Sequence, residues 1–346
     1  MTSSIKVLFD IGHPAHFHLF KNFMLHFKQN NIPFVITTRD KEITNTLLDE
    51  YNFEYISLST PKNSLIGMFR ELIQRNLAIF KLHKKEYFTH AFGTSVSIAH
   101  LSLFTNVISY NFNEDDDSVV PLYTNITYPF TTKIIVPDCL KYKKWEKKRI
   151  LHSSYHELAY LHPNNFNPDI NLIKSYNLEP KKYIIVRLSA LKAHHDTGAK
   201  GISQKLLDKI KVLLSNYTII ESHELKKEHQ IKPWDMHHIL AYAKMIICDS
   251  QTMAAETMVL GTPSIRINTF VGKISYLEEL ENKYNLGYGI LPEKENHKII
   301  LDTVNYLATD ITVDNLWQEK RQTMLKDKID LNQWMIDFFE KEINKQ

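Results

Sequence analysis

The sequence has few cysteines and no long hydrophobic run. Its two cysteines, Cys139 and Cys248, give neither a disulfide framework nor the ligand spacing of a zinc site, as expected in a reducing cytosol. No apolar stretch approaches about 18 residues, so we expect no membrane-spanning helix. The first residues, MTSSIKVLFDIG, lead into an apolar strand without the hydrophobic region of a signal peptide. We therefore expect a cytoplasmic protein that acts either in the cytosol or at the inner face of the membrane.

The chain also lacks a strong charge of either sign. A formal net charge of +3 allows attraction to anionic ligands but does not indicate a nucleic-acid-binding protein. A length of 346 residues is too great for one typical domain and suits two. Because 43% of the residues are hydrophobic and 11% are aromatic, the chain can fill two cores and is not expected to be disordered.

Apolar runs alternate with helical periodicity along most of the chain, which is typical of doubly wound parallel sheets. The runs predict strands at 5–9, 33–38, near 53–56, 87–92, 106–111 and 134–137, and then at 182–188, 217–221, 245–248 and 264–268. The stretch 134–137 is predicted to be the last strand of the first half, and the Asn- and Pro-containing stretch 155–178 to be a linker.

The predicted fold class is therefore α/β, with two Rossmann-like domains facing a central cleft. Residues 1–155 form the first domain and residues 179–328 the second. A C-terminal helix at about 331–346 is expected to pack back on the first domain.

The segment 244–268, KMIICDSQTMAAETMVLGTPSIRIN, predicts a strand, a polar turn, a helix, a Gly-Thr-Pro stop and a second strand. Ser250, Gln251 and Thr252 stand at the helix start, where hydroxyls cap backbone N–H groups and the helix dipole favours an anion. A helix start of this kind suits a phosphate. Glu256 lies one turn further, where a carboxylate can accept two hydrogen bonds from a sugar diol. The alternative is an ordinary βαβ unit with a capped helix.

The loop VRLSALKAHHDTGAKG follows the first strand of the second half. It offers a guanidinium fork, a hydroxyl and exposed backbone N–H groups, which suit a diphosphate facing the Ser250 helix start. The candidates are Arg187, Ser189, Lys192 and His194, followed by the pair Gly198 and Gly201, with Ser222 and His223 after the next strand as weaker candidates for nucleotide contacts. The loop lacks the Walker spacing, and the alternative is a basic surface loop.

The first βα loop, DIGHPAHFHLF, carries His13, His16 and His18 at a standard ligand position of such sheets. A neutral imidazole there can take a proton, and the helix dipole lowers the pKa of His16. The spacing H-x-x-H-x-H also suggests a metal, but no cysteine or paired carboxylate accompanies it, so we predict no metal site. We expect His18 to pack or cap, and the alternative for the whole cluster is three incidental histidines.

The acidic stretch NFNEDDDS follows the predicted strand 106–111 and supplies Glu114, Asp115, Asp116 and Asp117 to the same edge. Glu114 or Asp115 is a candidate general base or metal contact. For at least two of the four residues we expect a solvated acidic loop instead. A second charged segment, KYKKWEKKR at 141–149, is either a solvated basic helix or a contact with an anionic membrane, where a lipid-linked acceptor would be found.

Four separated motifs resemble, in order, the family labelled domain of unknown function 354: DIGHPAHFHLFKNF, YHELAYLHP-x-x-F-x-P, VRLSALKAHHD-x-G-x-x-G and CDSQTMAAETMVLGTPSIR. The resemblance covers essentially the whole chain. It implies a GT-B architecture and distant kinship with MurG-type N-acetylglucosaminyltransferases and non-hydrolysing UDP-N-acetylglucosamine 2-epimerases. It also implies that the donor binds to the C-terminal domain and the acceptor to the N-terminal one. By the same resemblance His16 matches the histidine at a helix start that ends the glycine-rich first loop, Glu256 matches a ribose-binding acid, and the Ser-Gln-Thr turn matches a diphosphate-binding helix start.

Three functions are therefore weighed. The first is a metal-independent glycosyltransferase that uses a nucleotide sugar, with UDP as the expected nucleotide, and acts in bacterial cell-surface polysaccharide or glycoconjugate synthesis without a cofactor. The second is a nucleotide-sugar epimerase of the same fold, and the third is a non-catalytic nucleotide-sugar-binding protein.

Overall fold

The structure is a computed structural model that describes residues 5–40, 42–62, 64–142, 144–188, 201–223 and 231–344. Its strands, in chain order, are β1 (Val7–Ile11), β2 (Phe34–Arg39), β3 (Ile56–Ser59), β4 (His90–Gly93), β5 (Ile108–Phe112), β6 (Lys133–Pro137), β7 (Arg149–His152), β8 (Tyr183–Leu188), β9 (Thr218–His223), β10 (Ile246–Cys248), β11 (Ser264–Ile267) and β12 (Gly287–Ile290).

The helices alternate with these strands. They are α1 (Pro14–Gln29), α2 (Glu42–Glu50), α3 (Leu65–Glu86), α4 (Val96–Phe104), α5 (Pro121–Thr127), α6 (Leu158–Leu161), α7 (Ile170–Ser175), α8 (Gln204–Leu213), α9 (Met236–Tyr242), α10 (Gln251–Val259), α11 (Ser275–Glu278), α12 (His297–Thr309), α13 (Val313–Asp327) and α14 (Leu331–Ile343). Among the described residues, no helix is both long and apolar enough to cross a membrane.

The strands form two parallel sheets, which confirms the predicted fold class. The first sheet has the order β3-β2-β1-β4-β5-β6-β7 and the second the order β12-β11-β10-β8-β9. Each order reverses direction once, between β1 and β4 in the first sheet and between β8 and β10 in the second. Ligands of doubly wound sheets bind outside the carboxyl ends of the strands at such a point.

The chain divides into two compact units. Unit 1 comprises residues 1–160 and 330–346, and unit 2 comprises residues 161–329. The C-terminal helix α14 therefore belongs to unit 1, where Phe339 packs on Phe23 and Phe27 of α1 with ring centroids 6.0 and 5.0 Å apart. The acceptor and donor roles given to the two halves stay predictions.

The core of unit 1 is aromatic. Phe9, at the centre of β1, contacts the rings of Phe20, Phe23, Phe27, Phe34 and Phe92 at centroid distances of 5.5–5.9 Å. All five residues of β1 are buried because helices cover both faces of a parallel sheet. This packing places the end of β1, and with it the first βα loop, on a rigid element.

The core of unit 2 fixes the end of α10. Gly261 adopts a left-handed φ of 77°, and its N–H donates to the carbonyl of Met258 at 2.9 Å. A glycine pays no Cβ penalty in this conformation, which is why it ends helices. The predicted Gly-Thr-Pro stop is thereby confirmed.

The structure corrects several boundaries. The short strand predicted near 53–56 lies at Ile56–Ser59, because Asn52 (φ 52°) ends α2 and the Phe53 N–H returns to the Leu48 carbonyl at 3.0 Å. The stretch 134–137 is not the last strand of the first half, since β7 pairs beside it. β7 was missed because it is short and begins with a charged residue. The predicted linker 155–178 contains α6 and α7.

β12 was also missed. Its sequence, GYGI, contains two glycines, which disfavour a strand. The structure gives the reason for one of them: a Cβ on Gly287 would lie 2.6 Å from the sulfur of Met258. The close packing of α10 on the sheet therefore requires glycine there.

Candidate functional site

The reversal point of the second sheet collects the residues predicted to hold a nucleotide. Arg187 near the end of β8 pairs with Cys248 of β10 on one side and with Ser222 of β9 on the other. Its guanidinium Nη1 donates to the Ser222 hydroxyl at 2.7 Å, so Ser222 orients a fork of donors at this edge. His223, the last residue of β9, pairs with Leu188. Arg187, Ser222 and the turn after β10 are thus brought together.

The turn after β10 contains a capped helix start, as predicted. Ser250 has an extended backbone, and its hydroxyl accepts from the Met253 N–H at 3.4 Å. Gln251 and Thr252 are the first two residues of α10 and are half-buried. The sequence pattern predicts this helix over 253–260, but it begins two residues earlier, at Gln251. Its first N–H groups are therefore directed out of the carboxyl edge of the sheet.

Glu256 lies one turn into α10 and is only 5% exposed. Its Oε1 is 3.0 Å from His237 Nε2 of α9. An imidazole that donates to a carboxylate fixes the rotamer of that carboxylate. The structure therefore holds Glu256 in one position, and its predicted contact with a sugar diol stays a prediction.

Two buried polar contacts lie beneath the carboxyl edge of the second sheet, and the sequence did not predict either of them. The Asn268 amide donates to the Asp249 carbonyl at 2.8 Å and connects the ends of β10 and β11. Arg266, fully buried, forms a two-pronged ion pair with Glu281 at 2.8 and 2.9 Å. Burial raises the pKa of Glu281, and the bonds from Arg266 oppose that rise. These contacts join the ends of β10 and β11 to each other and β11 to the helical segment 279–283.

Gly201 lies directly against the turn after β10. A Cβ at this residue would lie 2.5 Å from Asp249 Oδ2 and 3.0 Å from Asp249 Cβ, and Asp249 is 3% exposed. The second glycine of the predicted Gly-x-x-Gly pair is therefore required for residue 201 to lie against Asp249 in the turn after β10. Ser189, Lys192, His194 and Gly198, also predicted for this loop, lie outside the described residues.

A Gly201→Ala variant should be destabilised by about 1–3 kcal/mol, because an added methyl in a packed position forces its neighbours to shift. Urea denaturation monitored by circular dichroism measures the change. Gly12→Ala is the matched control, since a Cβ on Gly12 would meet its nearest atom at an ordinary 3.6 Å. Equal stability of the two variants would show that Asp249 moves away from the added methyl group without a measurable cost in free energy.

The reversal point of the first sheet carries the histidines. His13 is the N-cap of α1, and its Nδ1 accepts from the Ala15 N–H at 3.2 Å. His16 Nδ1 accepts from the Gly12 N–H at 3.4 Å. His18 is buried and stacks on Tyr160 at 5.2 Å, which confirms that it packs. Because a ring nitrogen that accepts carries no proton, neutral His13 and His16 both hold their proton on Nε2.

A further histidine, His156, joins this edge. Its Nδ1 lies 3.3 Å from Glu114 Oε2, and its backbone N–H donates to the same oxygen at 3.3 Å. Burial, with the neighbouring His152 and His16, holds the pKa of His156 well below its ordinary 6.5. Among the described residues its Nε2 is buried and has no hydrogen-bond partner. The structure thus brings His16, His156 and Glu114 together.

Two other residues of the acidic stretch, Asp116 and Asp117, are held by bonds within unit 1. Asp116 is 3% exposed and accepts from the Lys141 N–H at 2.8 Å. Asp117 receives two bonds from Arg149, at 2.8 and 2.6 Å. Asp115 is half-buried, and its backbone C=O and N–H bond to the Asn113 side chain, so the role of its carboxylate stays a prediction. The expectation of a solvated acidic loop is therefore wrong, since none of the four residues is exposed.

Asp10, at the end of β1, was not predicted as a site residue. It is fully buried and receives hydrogen bonds from Arg75, Ser95 and Thr37. Burial alone would raise its pKa, but the charge of Arg75 and the hydrogen bonds hold the pKa of Asp10 below its usual value. This network connects the ends of β1, β2 and β4, and so supports the loop that carries His13 and His16.

The described part of the chain contains no group of three or more His, Cys, Asp or Glu side chains arranged to hold a metal ion. Of the functional candidates that sequence reasoning missed, His156 was within a quoted motif, YHELAYLHP, but in a stretch interpreted as linker. Asp10 was within another, DIGHPAHFHLF. For Asp10 the sequence did contain a signal, because a charged residue at the end of an apolar strand is a candidate site residue.

Comparison with known proteins identifies a family model and several solved structures that are similar to this chain. A family model described as a protein of unknown function (DUF354) matches residues 5–337. No curated protein matches the chain. Among solved structures, the UDP-GlcNAc 2-epimerase from Neisseria meningitidis bound to UDP-GlcNAc is 11% identical, with a TM-score of 0.67 over 93% of this chain and 100% of that one.

Two other solved structures are similar over nearly the whole chain. The S. aureus MnaA–UDP complex is 10% identical, with a TM-score of 0.68 over 98% of this chain and 97% of that one. The spinosyn forosaminyltransferase SpnP is 11% identical, with a TM-score of 0.65 over 99% and 100%. These likenesses show the fold, which is α/β of the GT-B type with two Rossmann-like units.

Proposed function

This chain belongs to the DUF354 family, and we propose that it is a glycosyltransferase that moves a sugar from a nucleotide-sugar donor to an acceptor hydroxyl. The observation that supports this most is the reversal point of the second sheet. There, Arg187, the Ser222 hydroxyl and the capped start of α10 stand together, with Glu256 one turn further in. Two of the similar structures contain UDP or UDP-GlcNAc, so UDP is the proposed nucleotide.

Unit 2 is proposed to bind the donor. The N–H groups at the start of α10 and the Arg187 guanidinium would accept the diphosphate and stabilise its charge as it leaves. These fixed positive groups supply electrostatically what a metal ion supplies in other transferases, so the proposed reaction needs no metal. Glu256, held by His237, would accept hydrogen bonds from the ribose hydroxyls.

Unit 1 is proposed to bind the acceptor, and the hydrogen bonds of its histidines divide their roles. Glu114 next to His156 Nδ1 keeps the proton there, which leaves Nε2 free to accept one. His16 has the opposite tautomer and donates from Nε2. The proposed base is therefore His156, with His16 as a donor to the substrate.

The proposed step is a single displacement. The acceptor oxygen forms a bond to the anomeric carbon, and the bond from that carbon to the phosphate oxygen breaks. The nucleoside diphosphate leaves with the electron pair, and the hydroxyl proton moves to His156 Nε2. The acceptor is proposed to be a glycan or a lipid-linked glycoconjugate of the bacterial cell surface.

The donor site is tested by calorimetry with UDP, GDP and CMP. An Arg187→Met variant should bind UDP about 10- to 100-fold more weakly, because a charge-assisted hydrogen bond to phosphate is lost. Arg70→Met, on the exposed face of α3, is the matched control and should bind as the unmodified protein does. If the protein bound none of the three nucleotides and none of the corresponding nucleotide sugars, the proposal of a nucleotide-sugar enzyme would be wrong.

An epimerase is the second candidate, because two of its solved examples share this fold over most of the chain. It would use the same histidines to remove and return a proton on the sugar. Incubation of UDP-GlcNAc without an acceptor, followed by proton NMR, separates the two. A new isomer favours the epimerase, whereas an unchanged sugar that is consumed only when an acceptor is added favours the transferase.

A further inference from the structure

The outer face of α3 in unit 1 carries an exposed apolar stripe. Leu65, Ile66, Phe69, Ile73 and Leu77 are 43–69% exposed, although each is a large aliphatic or aromatic residue. Single exposed apolar residues are normal on a protein surface, but a contiguous row on one element marks an interaction site. At 100° per residue, the five side chains fall within an arc of about 120° of the helix.

The stripe continues onto the neighbouring helix. Phe80 of α3 contacts Phe104 of α4 at a ring distance of 5.7 Å. Phe104 is 72% exposed and Leu103 beside it is 50% exposed. The exposed apolar surface therefore spans two helices, α3 and α4.

The charges beside the stripe have one sign. Arg70, Lys81, Lys84 and Lys85 are exposed on the same helix. The two acidic residues of α3 are already paired: Glu71 is buried against Arg39, and Glu86 bonds to Lys6. The exposed charge that α3 presents is therefore entirely positive.

We propose that this surface docks unit 1 on an anionic lipid membrane, with α3 lying in the plane of the interface. An apolar stripe that enters the acyl boundary, next to lysines that meet anionic headgroups, is the composition of interfacial helices. A second copy of the chain fits less well. A two-fold interface brings each patch onto itself, so the same four cations would oppose one another.

The basic segment 141–149 contributes less to such a surface than its composition suggests. Lys148 donates to the carbonyls of Tyr128, Pro129 and Thr131 at 2.8–3.1 Å, and the Arg149 side chain is buried against Asp117. Two of its cations thus serve the interior of unit 1. The membrane contact expected from the sequence is here assigned to α3.

The test is flotation of the full chain with vesicles of phosphatidylcholine alone or mixed with phosphatidylglycerol. The chain should float with the mixed vesicles only. A variant with Lys81→Glu and Lys84→Glu should bind at least about 25-fold more weakly, since each lysine near the surface contributes about fivefold. Lys205→Glu with Lys209→Glu, two exposed lysines of α8, makes the same charge change and should have little effect.

A second variant, Leu65→Gln with Phe69→Gln and Leu77→Gln, removes the apolar stripe without altering charge. It should also fail to float, whereas Val212→Gln with Ile299→Gln, exposed residues of unit 2, should float normally. Absence of flotation by the unmodified chain would overturn the proposal. So would a dimer in analytical ultracentrifugation that the stripe variant alone dissociates. No nucleotide sugar is present, so the result is independent of the proposed transfer.

Discussion

An Arg75→Met variant is expected to lose about 3–5 kcal/mol of the stability of unit 1, because it leaves a buried carboxylate without its cation. Arg75 is 6% exposed, and its guanidinium bonds to Asp10, to the Thr38 carbonyl at 2.9 Å and to the Ser59 hydroxyl at 3.2 Å. Methionine fills much of the same volume but donates no hydrogen bond. Replacing Asp10 with Asn in the same chain should recover part of the loss, since no charge is then stranded.

Hydrogen–deuterium exchange is the appropriate measurement, because two compact units can unfold separately. Peptides from β1, β2 and β4 should exchange faster in Arg75→Met, whereas peptides from unit 2 should be unchanged. Lys211→Met is the control, since it breaks an ion pair with Glu221 in which both side chains are about one third exposed. A pair of that kind contributes about 0–1 kcal/mol. Equal effects in the two variants would contradict the assigned role of Arg75.

The stability lost in Arg75→Met is expected to depend on pH. In the folded protein the pKa of Asp10 lies below its ordinary 3.8, so Asp10 contributes stability that is present above about pH 4 and lost as the pH falls through the folded pKa. Without Arg75, burial raises the pKa of Asp10, and protonation then relieves the variant. The difference between the two proteins should therefore be largest near pH 7 and smaller near pH 5.

The sequence predicted the fold because parallel strands buried on both faces are near-continuous apolar runs. β1 and β10 lie where such runs occur, and Ser250 was identified as the capping residue of α10, although the helix begins two residues earlier than predicted. β7 and β12 are edge strands with a charged or glycine-containing sequence, so no apolar run indicated them. Periodicity identifies the centre of a sheet better than its edges for this reason.

The candidate site was predicted less completely, because much of it depends on contacts between distant parts of the chain. Glu114 and His156 are 42 residues apart, and no local pattern connects them. Asp117 looked solvated because its partner, Arg149, is 32 residues away in a strand that was not expected. The pairing of Glu256 with His237 likewise joins two helices. Residue type and loop position were therefore predictable, but the partners that set tautomer and charge were not.

The second large effect is expected from His156→Asn, which should lower kcat of the proposed transfer by about 10²–10⁴-fold, the contribution of a general base. Asparagine retains a polar group of similar size but cannot accept the hydroxyl proton. The affinity for UDP, measured by calorimetry, should be unchanged, because the proposed donor site lies in unit 2. His83→Asn is the matched control, since burial also lowers the pKa of His83, at the C-terminal end of α3.

Two further measurements separate His156 from His16. With a pKa well below 6.5, His156 is neutral and able to accept a proton at pH 6.5, so kcat/KM should stay level through that pH and fall only in stronger acid. His16→Asn should lower kcat only about 3- to 10-fold, since it removes one hydrogen-bond donor and not the base. If His16→Asn gave the larger loss of kcat and His156→Asn the smaller one, the proton would be taken by His16. The Gly12 N–H would then have to release His16 Nδ1 during the reaction, because that bond holds the ring in its donating tautomer.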